Sequence, residues 1–412
     1  MKKIKLLFVA LIFSSVYTSF AQDSTQVEKN MRLASIIPGN TRMVLTGVGW
    51  FGFQYHLNNP TNDKTRPSNS FNDFGFSPMF LYKLSDKFFF ESEIEIMNDG
   101  TADNGAAFDL EYAKLSYRLN KYMTIGAGKM LTPFGAYNER WEANHIERFP
   151  NAPLRPDDGV LPDDTHMFWG AVMGIDLRGG IPMGSAKFNY ALYVSNGPKL
   201  NLDPTMAGMI QYENWNDNNS NKEVGGRIGI LPFANSSLEL GISGKRGIAG
   251  NEGDSIYKKI GATAFAVDLS FVKSIEAIKS TINFRGQYTS MTVDQAKYYA
   301  APDSTGHAAE LPAFDNTTSS YFAQVTFRPS MVANKFLKRT ELMFRYADVK
   351  APKDAVWGPK DKNGVGGDVT RMDIGLAYWI TWRTGLRFAY EVSTLPDGTQ
   401  QKEFLARFAI GL

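Results

Sequence analysis

From Thr41 to the C-terminus, apolar and polar side chains alternate with a period of two, in stretches of about ten residues. That period puts alternate side chains on opposite faces of an extended strand and is incompatible with a helix, whose faces repeat every 3.6 residues. In 87–97, Phe88, Phe90, Ile94 and Ile96 share one face, and Glu91, Glu93 and Glu95 share the other. In 183–195, Phe188, Tyr190, Leu192 and Val194 oppose Lys187, Asn189 and Ser195. Met372, Ile374, Leu376, Tyr378 and Ile380 oppose Arg371 and Asp373, and at the C-terminus Phe404, Phe408, Ile410 and Leu412 oppose Glu403 and Arg407.

Alternation alone leaves a water-soluble sandwich and a membrane barrel open. Connection lengths separate them. Candidate strands fall at 41–56, 73–83, 87–98, 108–119, 122–130, 166–178, 183–195, 222–230, 237–246, 257–271, 279–291, 317–328, 339–348, 369–379, 384–393 and 402–411, about sixteen in all. The short connections are Ser85-Asp86, Asn120-Lys121, Gly179 to Pro182, Leu231 to Ser236, Val272 to Ile278, Pro329 to Lys338 and Ile380 to Arg383. Between them lie long polar loops at 57–72, 131–165, 196–221, 292–316 and 349–368. Turns at one end and loops at the other describe an all-β, transmembrane antiparallel β-barrel of about sixteen strands, with periplasmic turns, extracellular loops and a place in the bacterial outer membrane among its lipids. The barrel is expected over 41–412. Aromatic residues near strand ends, including Trp50, Phe51, Tyr55, Tyr117, Tyr122, Tyr378, Trp379, Trp382 and Tyr390, read as interfacial girdles.

A barrel of this width leaves an aqueous lumen that side chains cannot fill, so three inward glutamates carry little solvation cost. The expected wall charges are Lys114, Arg118, Arg178, Lys187, Arg227, Arg285, Arg345, Arg371, Arg387 and Arg407, against Glu91, Glu93, Glu95, Asp109, Glu341, Asp373 and Glu391.

The N-terminal segment reads differently. Lys2, Lys3 and Lys5 precede the apolar run Leu6 to Phe13, which is too short to cross a membrane, and Ser19-Phe20-Ala21 follows. This predicts a signal peptide over 1–21 and a polar periplasmic lead-in over 22–40. Its removal turns 44 basic and 42 acidic residues into 41 and 42. Such a balance lacks the clustered basic excess of a nucleic-acid binder. The absence of cysteine excludes disulfides, thiolate catalysis and thiolate-ligated metals.

Motifs that suggest chemistry have plainer explanations. Gly47-Val48-Gly49-Trp50-Phe51-Gly52 matches a dinucleotide fingerprint literally, but no helical pattern follows it. The stretches Asp157 to Asp164 and Asp361 to Asp368 lack the ordered spacing of a calcium loop. His56, His145, His166 and His307 fit no zinc motif, and no G-x-S-x-G elbow is present. No cofactor and no metal is expected.

Loop 131–165 is about 35 residues long, a length that is usually functional. Folded inward, it would narrow the lumen and its charges would act as the filter. The expected constriction is Arg140, Arg148, Arg155, Glu139, Glu147 and Asp158, facing wall residues such as Glu93, Arg118 and Arg345. The whole loop balances three bases against Glu139, Glu142, Glu147, Asp157, Asp158, Asp163 and Asp164.

Gly128-Lys129-Met130-Leu131-Thr132-Pro133-Phe134-Gly135, a strand ending in a P-F-G turn, resembles the family of phosphate-selective porins O and P. Asn138-Glu139-Arg140 and the strand end Tyr193-Val194-Ser195-Asn196-Gly197 are similar too. The resemblance implies a trimeric, sixteen-stranded outer-membrane porin, a non-enzymatic channel for small hydrophilic solutes or ions, with anions such as phosphate among the candidates. Two other readings stand beside it. One is a barrel-embedded hydrolase with a serine near one of the four histidines, and the other is a non-conducting structural or adhesive barrel.

Overall fold

The computed structural model describes residues 43–58, 69–98, 106–142, 146–154, 170–212, 215–302, 304 and 307–412. The expected signal peptide and lead-in lie outside the described residues. Seven strands form the first part of the barrel: β1 (Met43–Asn58), β2 (Asn69–Lys83), β3 (Phe88–Met97), β4 (Ala107–Asn120), β5 (Met123–Leu131), β6 (Ala171–Met183) and β7 (Ala186–Asn196). A separate ribbon of β8 (Lys199–Leu200) and β9 (Ile210–Gln211) follows within a loop. The barrel resumes with β10 (Lys222–Leu231), β11 (Leu238–Ile248), β12 (Gly261–Ile275), β13 (Ser280–Val293) and β14 (Thr317–Arg328). It ends with β15 (Thr340–Lys350), β16 (Asp368–Trp379), β17 (Thr384–Thr394) and β18 (Gln400–Gly411).

Apart from the ribbon, every strand pairs antiparallel with its neighbours and β18 closes on β1, giving sixteen strands with no open edge. The seam is pinned at its end, where the Leu412 N–H donates to the Gly47 carbonyl at 2.8 Å and Thr46 Oγ1 donates to the Leu412 carbonyl at 2.6 Å. Full closure leaves no strand edge unpaired, as a hydrocarbon surround demands.

The side-chain distribution is inverted relative to a water-soluble barrel. Leu45, Phe74, Phe108, Ile175, Val224, Ile242, Leu342 and Ile374 project outward and stay exposed. Their inward neighbours include Ser243, Asp268, Gln287, Gln324, Arg345 and Asp373. An apolar exterior around a charged interior is the signature of a barrel that meets lipid outside and water within.

One end carries the tight connections. Gly184 at φ +64° and Lys279 at φ +48° take the left-handed conformation that such turns require. Asn334 caps the helical turn α1 (Lys335–Arg339) by accepting from the Phe336 and Leu337 N–H groups. At the other end the loops pack on one another: Trp357 Nε1 donates to the Ala207 carbonyl at 3.0 Å and Asn316 Nδ2 to the Gly208 carbonyl at 2.7 Å. Tyr257, Tyr298 and Phe314 stack in the same region.

Local expectations change at three places. Val272 to Ile275, expected in a turn, are the paired end of β12, and the turn is Glu276 to Lys279. Gly179 to Pro182 are not a turn but the end of β6, and the turn falls at Gly184-Ser185, where glycine supplies the positive φ. Trp50 and Trp379 are not girdle residues. They point inward, donating from Nε1 to Asp73 (3.0 Å) and Glu341 (2.6 Å), because consecutive strand residues cannot share a face.

Candidate functional site: the loop inside the lumen

The segment after β5 is turned into the barrel by backbone groups. The Thr132 N–H and Oγ1 donate to the Gly170 carbonyl at 3.1 and 2.9 Å, which ties the two ends of the connection together. Asn138 Nδ2 adds a third bond to the same carbonyl at 3.0 Å. Gly135 then adopts φ +67° and donates to Ser243 Oγ at 3.0 Å. The Ala136 and Tyr137 N–H groups converge on Gln287 Oε1 at 2.8 and 3.0 Å. A Cβ at position 135 would sit 2.5 Å from Gln287 Nε2, so the P-F-G turn needs glycine both for its dihedral and for this approach. Phe134, fully buried, lies 4.8 Å from the Lys245 ammonium and fixes the turn against β11.

A π-helical turn (Tyr137–Trp141) follows, and its charges reach two sides of the barrel. Glu139 pairs with Arg178 of β6 at 2.9 Å, and Arg140 pairs with Glu239 of β11 at 2.5 Å. Tyr137 and Trp141 meet Phe322 of β14 edge-on. Further along, Arg148 donates to Glu341 of β15 at 3.0 Å. Glu147 accepts from the Arg148 and Phe149 N–H groups at 2.7 and 3.1 Å and lies 3.9 Å from Arg345. Asn151 is shared among Arg345, Asp373 and Glu391. Residues 132–142 and 146–154 therefore lie against the inner wall from β6 to β17. Arg155 and Asp158 lie outside the described residues.

The wall charges are mostly matched. Lys114 faces Glu91 at 3.1 Å and Asp176 at 3.5 Å. Arg178 is bound by Asp176 as well as by Glu139. Arg227 bonds Asp268 at 2.6 and 2.9 Å and Glu239 at 3.1 Å. Arg345 bonds Asp373 at 2.8 Å, and Arg371 meets Glu391 at 2.9 Å. Arg285 has the Ile146 carbonyl at 3.4 Å and the Trp141 ring at 5.6 Å. Arg118 and Lys187 sit toward the turn end, against the Phe89 ring and Ser236. Sequence pattern implies inward charges bathed in lumen water, but Arg345 and Arg227 are 0% and 2% exposed, because the loop covers them. Desolvated in this way, they require the carboxylate partners they have.

Carboxylates gather on β3 and β4 instead. The register between these strands shifts after Glu93, which pairs with Tyr112 while Ile94 pairs with Leu110, so Glu111 is the extra residue of a bulge. Glu93 accepts from Tyr112 and Ser77, and both Glu93 and Glu95 lie within electrostatic reach of Glu111 and of Glu142 from the loop. Neither Glu93 nor Glu95 has a cationic partner among the described residues. Glu111 was not legible as a lumen group, since strict alternation gives no sign of a bulge; Asn151 carries no charge to mark it. No group of three or more His, Asp or Glu side chains that could hold a metal ion occurs among the described residues.

A closed sixteen-stranded barrel with a lipid-facing apolar exterior, a charged lumen and an inserted loop defines a porin-type barrel of the bacterial outer membrane. No protein-family model matches the sequence, and no curated protein matches it. The fold is similar to that of Salmonella typhi OmpF, with a TM-score of 0.53 and 11% identity over 90% of this chain and 97% of the other. It is also similar to the outer membrane channel DcaP of Acinetobacter baumannii, with a TM-score of 0.52 and 10% identity over 90% and 97% of the two chains. For the anion-selective porin from Comamonas acidovorans the TM-score is 0.51, with 11% identity over 90% and 99%.

Proposed function

We propose that this chain forms a water-filled diffusion channel for small hydrophilic solutes, that it makes and breaks no covalent bond, and that loop 131–165 is its filter. The observation that carries the ion preference is the asymmetry of charge. Apart from Arg285 and Arg387, the described basic groups of the loop and the covered wall are matched by carboxylates, whereas Glu93 and Glu95 share their space with Glu111 and Glu142. Crowded carboxylates share protons and do not all ionise, but the group carries no positive charge, so beside an aqueous path it attracts cations and gives an anion no partner. Cations and neutral solutes should therefore pass in preference to phosphate.

The resemblance to the phosphate-selective porins supports a porin but not that solute here. A phosphate path needs basic side chains open to the lumen, and Arg227 and Arg345 are covered and paired. The trimer that the resemblance implies is part of the same proposal, with mass measurement of the detergent-extracted protein as its check.

Single-channel recording in a planar bilayer under a KCl gradient tests the reading. The expected result is stepwise current with potassium more permeant than chloride. Chloride preference would overturn the filter assignment, and silence from folded barrels would favour the non-conducting reading, to which the apolar packing of Tyr137 and Trp141 with the outer loops also points.

A further inference from the structure

Arg387 of β17 is 0% exposed, and none of its three guanidinium nitrogens has a hydrogen-bond partner among the described residues. The neighbouring carboxylates are committed elsewhere. Glu147 and Glu341 lie within electrostatic reach of Arg387, but Glu147 accepts from the Arg148 and Phe149 N–H groups and Glu341 from Arg148, Trp379 and Thr326. Arg387 and Arg148 instead lie at the same indole, each guanidinium carbon 5.3 Å from the centroid of the Trp379 ring. The Nε of Arg148 is also buried and without a partner. A guanidinium stays charged, so these donors cannot be relieved by losing a proton, and enclosing them disfavours the closed state unless an acceptor is supplied.

The lid over them is the loop segment 147–151. Phe149, fully buried, packs with Met343, Ala377, Ala389 and Trp379, the indole against which Arg387 lies, and its ring centroid is 4.4 Å from the Arg345 guanidinium carbon. We propose that Arg387, with Arg148 beside it, is a latent anion site that takes a small oxyanion when segment 147–151 lifts from the wall. Five donors in a planar fork match an oxyanion, and no carboxylate among the described residues hydrogen-bonds them. A ligand that binds only the lifted state shifts the loop toward that state, so anion occupancy and loop position are coupled. The site lies in the wall beneath the loop and does not depend on which ions the channel conducts.

The absence of native cysteine makes the test direct. Ala389→Cys places a single thiol under Phe149, and its reaction with a hydrophilic maleimide in detergent reports how often the segment lifts. Inorganic sulfate is titrated at constant ionic strength against a bulky organic sulfonate. The labelling rate should rise saturably, by at least about fivefold. In the Ala389→Cys/Arg387→Met protein the sulfate response should vanish and the basal rate should fall, because the enclosed charge that disfavours the closed state is gone. Arg387→Lys, which keeps the charge without the fork, should respond more weakly. A sulfate-independent rate in the single variant, or an undiminished response with Met at 387, overturns the proposal. Folding of each variant is read from its heat-modifiable electrophoretic mobility.

Discussion

Asn151 donates a 2.6 Å hydrogen bond to Glu391, joining the inserted loop to β17 across 240 positions of sequence. The same amide reaches Asp373 at 3.2 Å, and its oxygen accepts from Arg345 at 2.7 Å. One neutral side chain thus bridges two acids and a base, and satisfies polar groups that the loop itself has desolvated. Asn151→Ala should release the loop tip without opening the barrel. Hydrogen bonds to charged groups are worth about 1.5–3 kcal/mol, so tryptic cleavage after Arg148 in the folded protein should accelerate by about tenfold or more. An unchanged cleavage rate would show that Asn151 does not hold the tip.

Gly135→Ala acts at the other end of the loop. The new methyl group would meet the Gln287 amide at 2.5 Å, on a residue whose φ is +67°. Strain of about 1–3 kcal/mol is expected in the turn. The loss should appear as earlier protease entry into 132–154, while the sixteen-stranded ladder, which does not use this residue, unfolds at an unchanged temperature.

The alternation of Phe88 to Ile96, of Met372 to Ile380 and of Phe404 to Leu412 made the barrel legible, because lipid outside and water inside leave period two as the sole solution for a strand. The strand count followed from turn chemistry. What alternation cannot convey is position around the ring. Arg387, Arg345 and Arg118 look alike in sequence, yet the loop buries the first two and leaves the third near the turn end. Trp50 and Trp379 likewise share a residue type with girdle aromatics, and only their register turns them toward Asp73 and Glu341. Pairings such as Glu139 with Arg178 join segments whose meeting depends on how the loop crosses the barrel.

The exterior offers a check on the lipid boundary. Ile374 is 58% exposed midway along β16, beside Asp373, which is wholly buried on the opposite face. Ile374→Arg should destabilise the barrel in bilayers by about 2–4 kcal/mol, the cost of an arginine near the membrane midplane. Urea unfolding from liposomes measures it. A neutral effect would mean that β16 faces a protein contact or water instead of acyl chains.

Charge removal in the lumen distinguishes the paired loop arginine from the carboxylate group around β3. Arg140 is half of a pair with Glu239, which Arg227 and Asn189 also engage. Arg140→Gln should therefore leave the potassium-to-chloride permeability ratio nearly unchanged, or raise it slightly as Glu239 loses one cation. Glu95→Gln combined with Glu142→Gln removes two members of the carboxylate group around β3, and should bring the ratio toward unity. The contrast should depend on salt. Screening extends over about 10 Å at 0.1 M and about 3 Å at 1 M, so the native preference should be strong in dilute KCl and fade in concentrated KCl. In the double variant that dependence should flatten. If Arg140→Gln moved the reversal potential more than the paired glutamate changes did, the loop arginine and not the β3 carboxylates would govern selectivity.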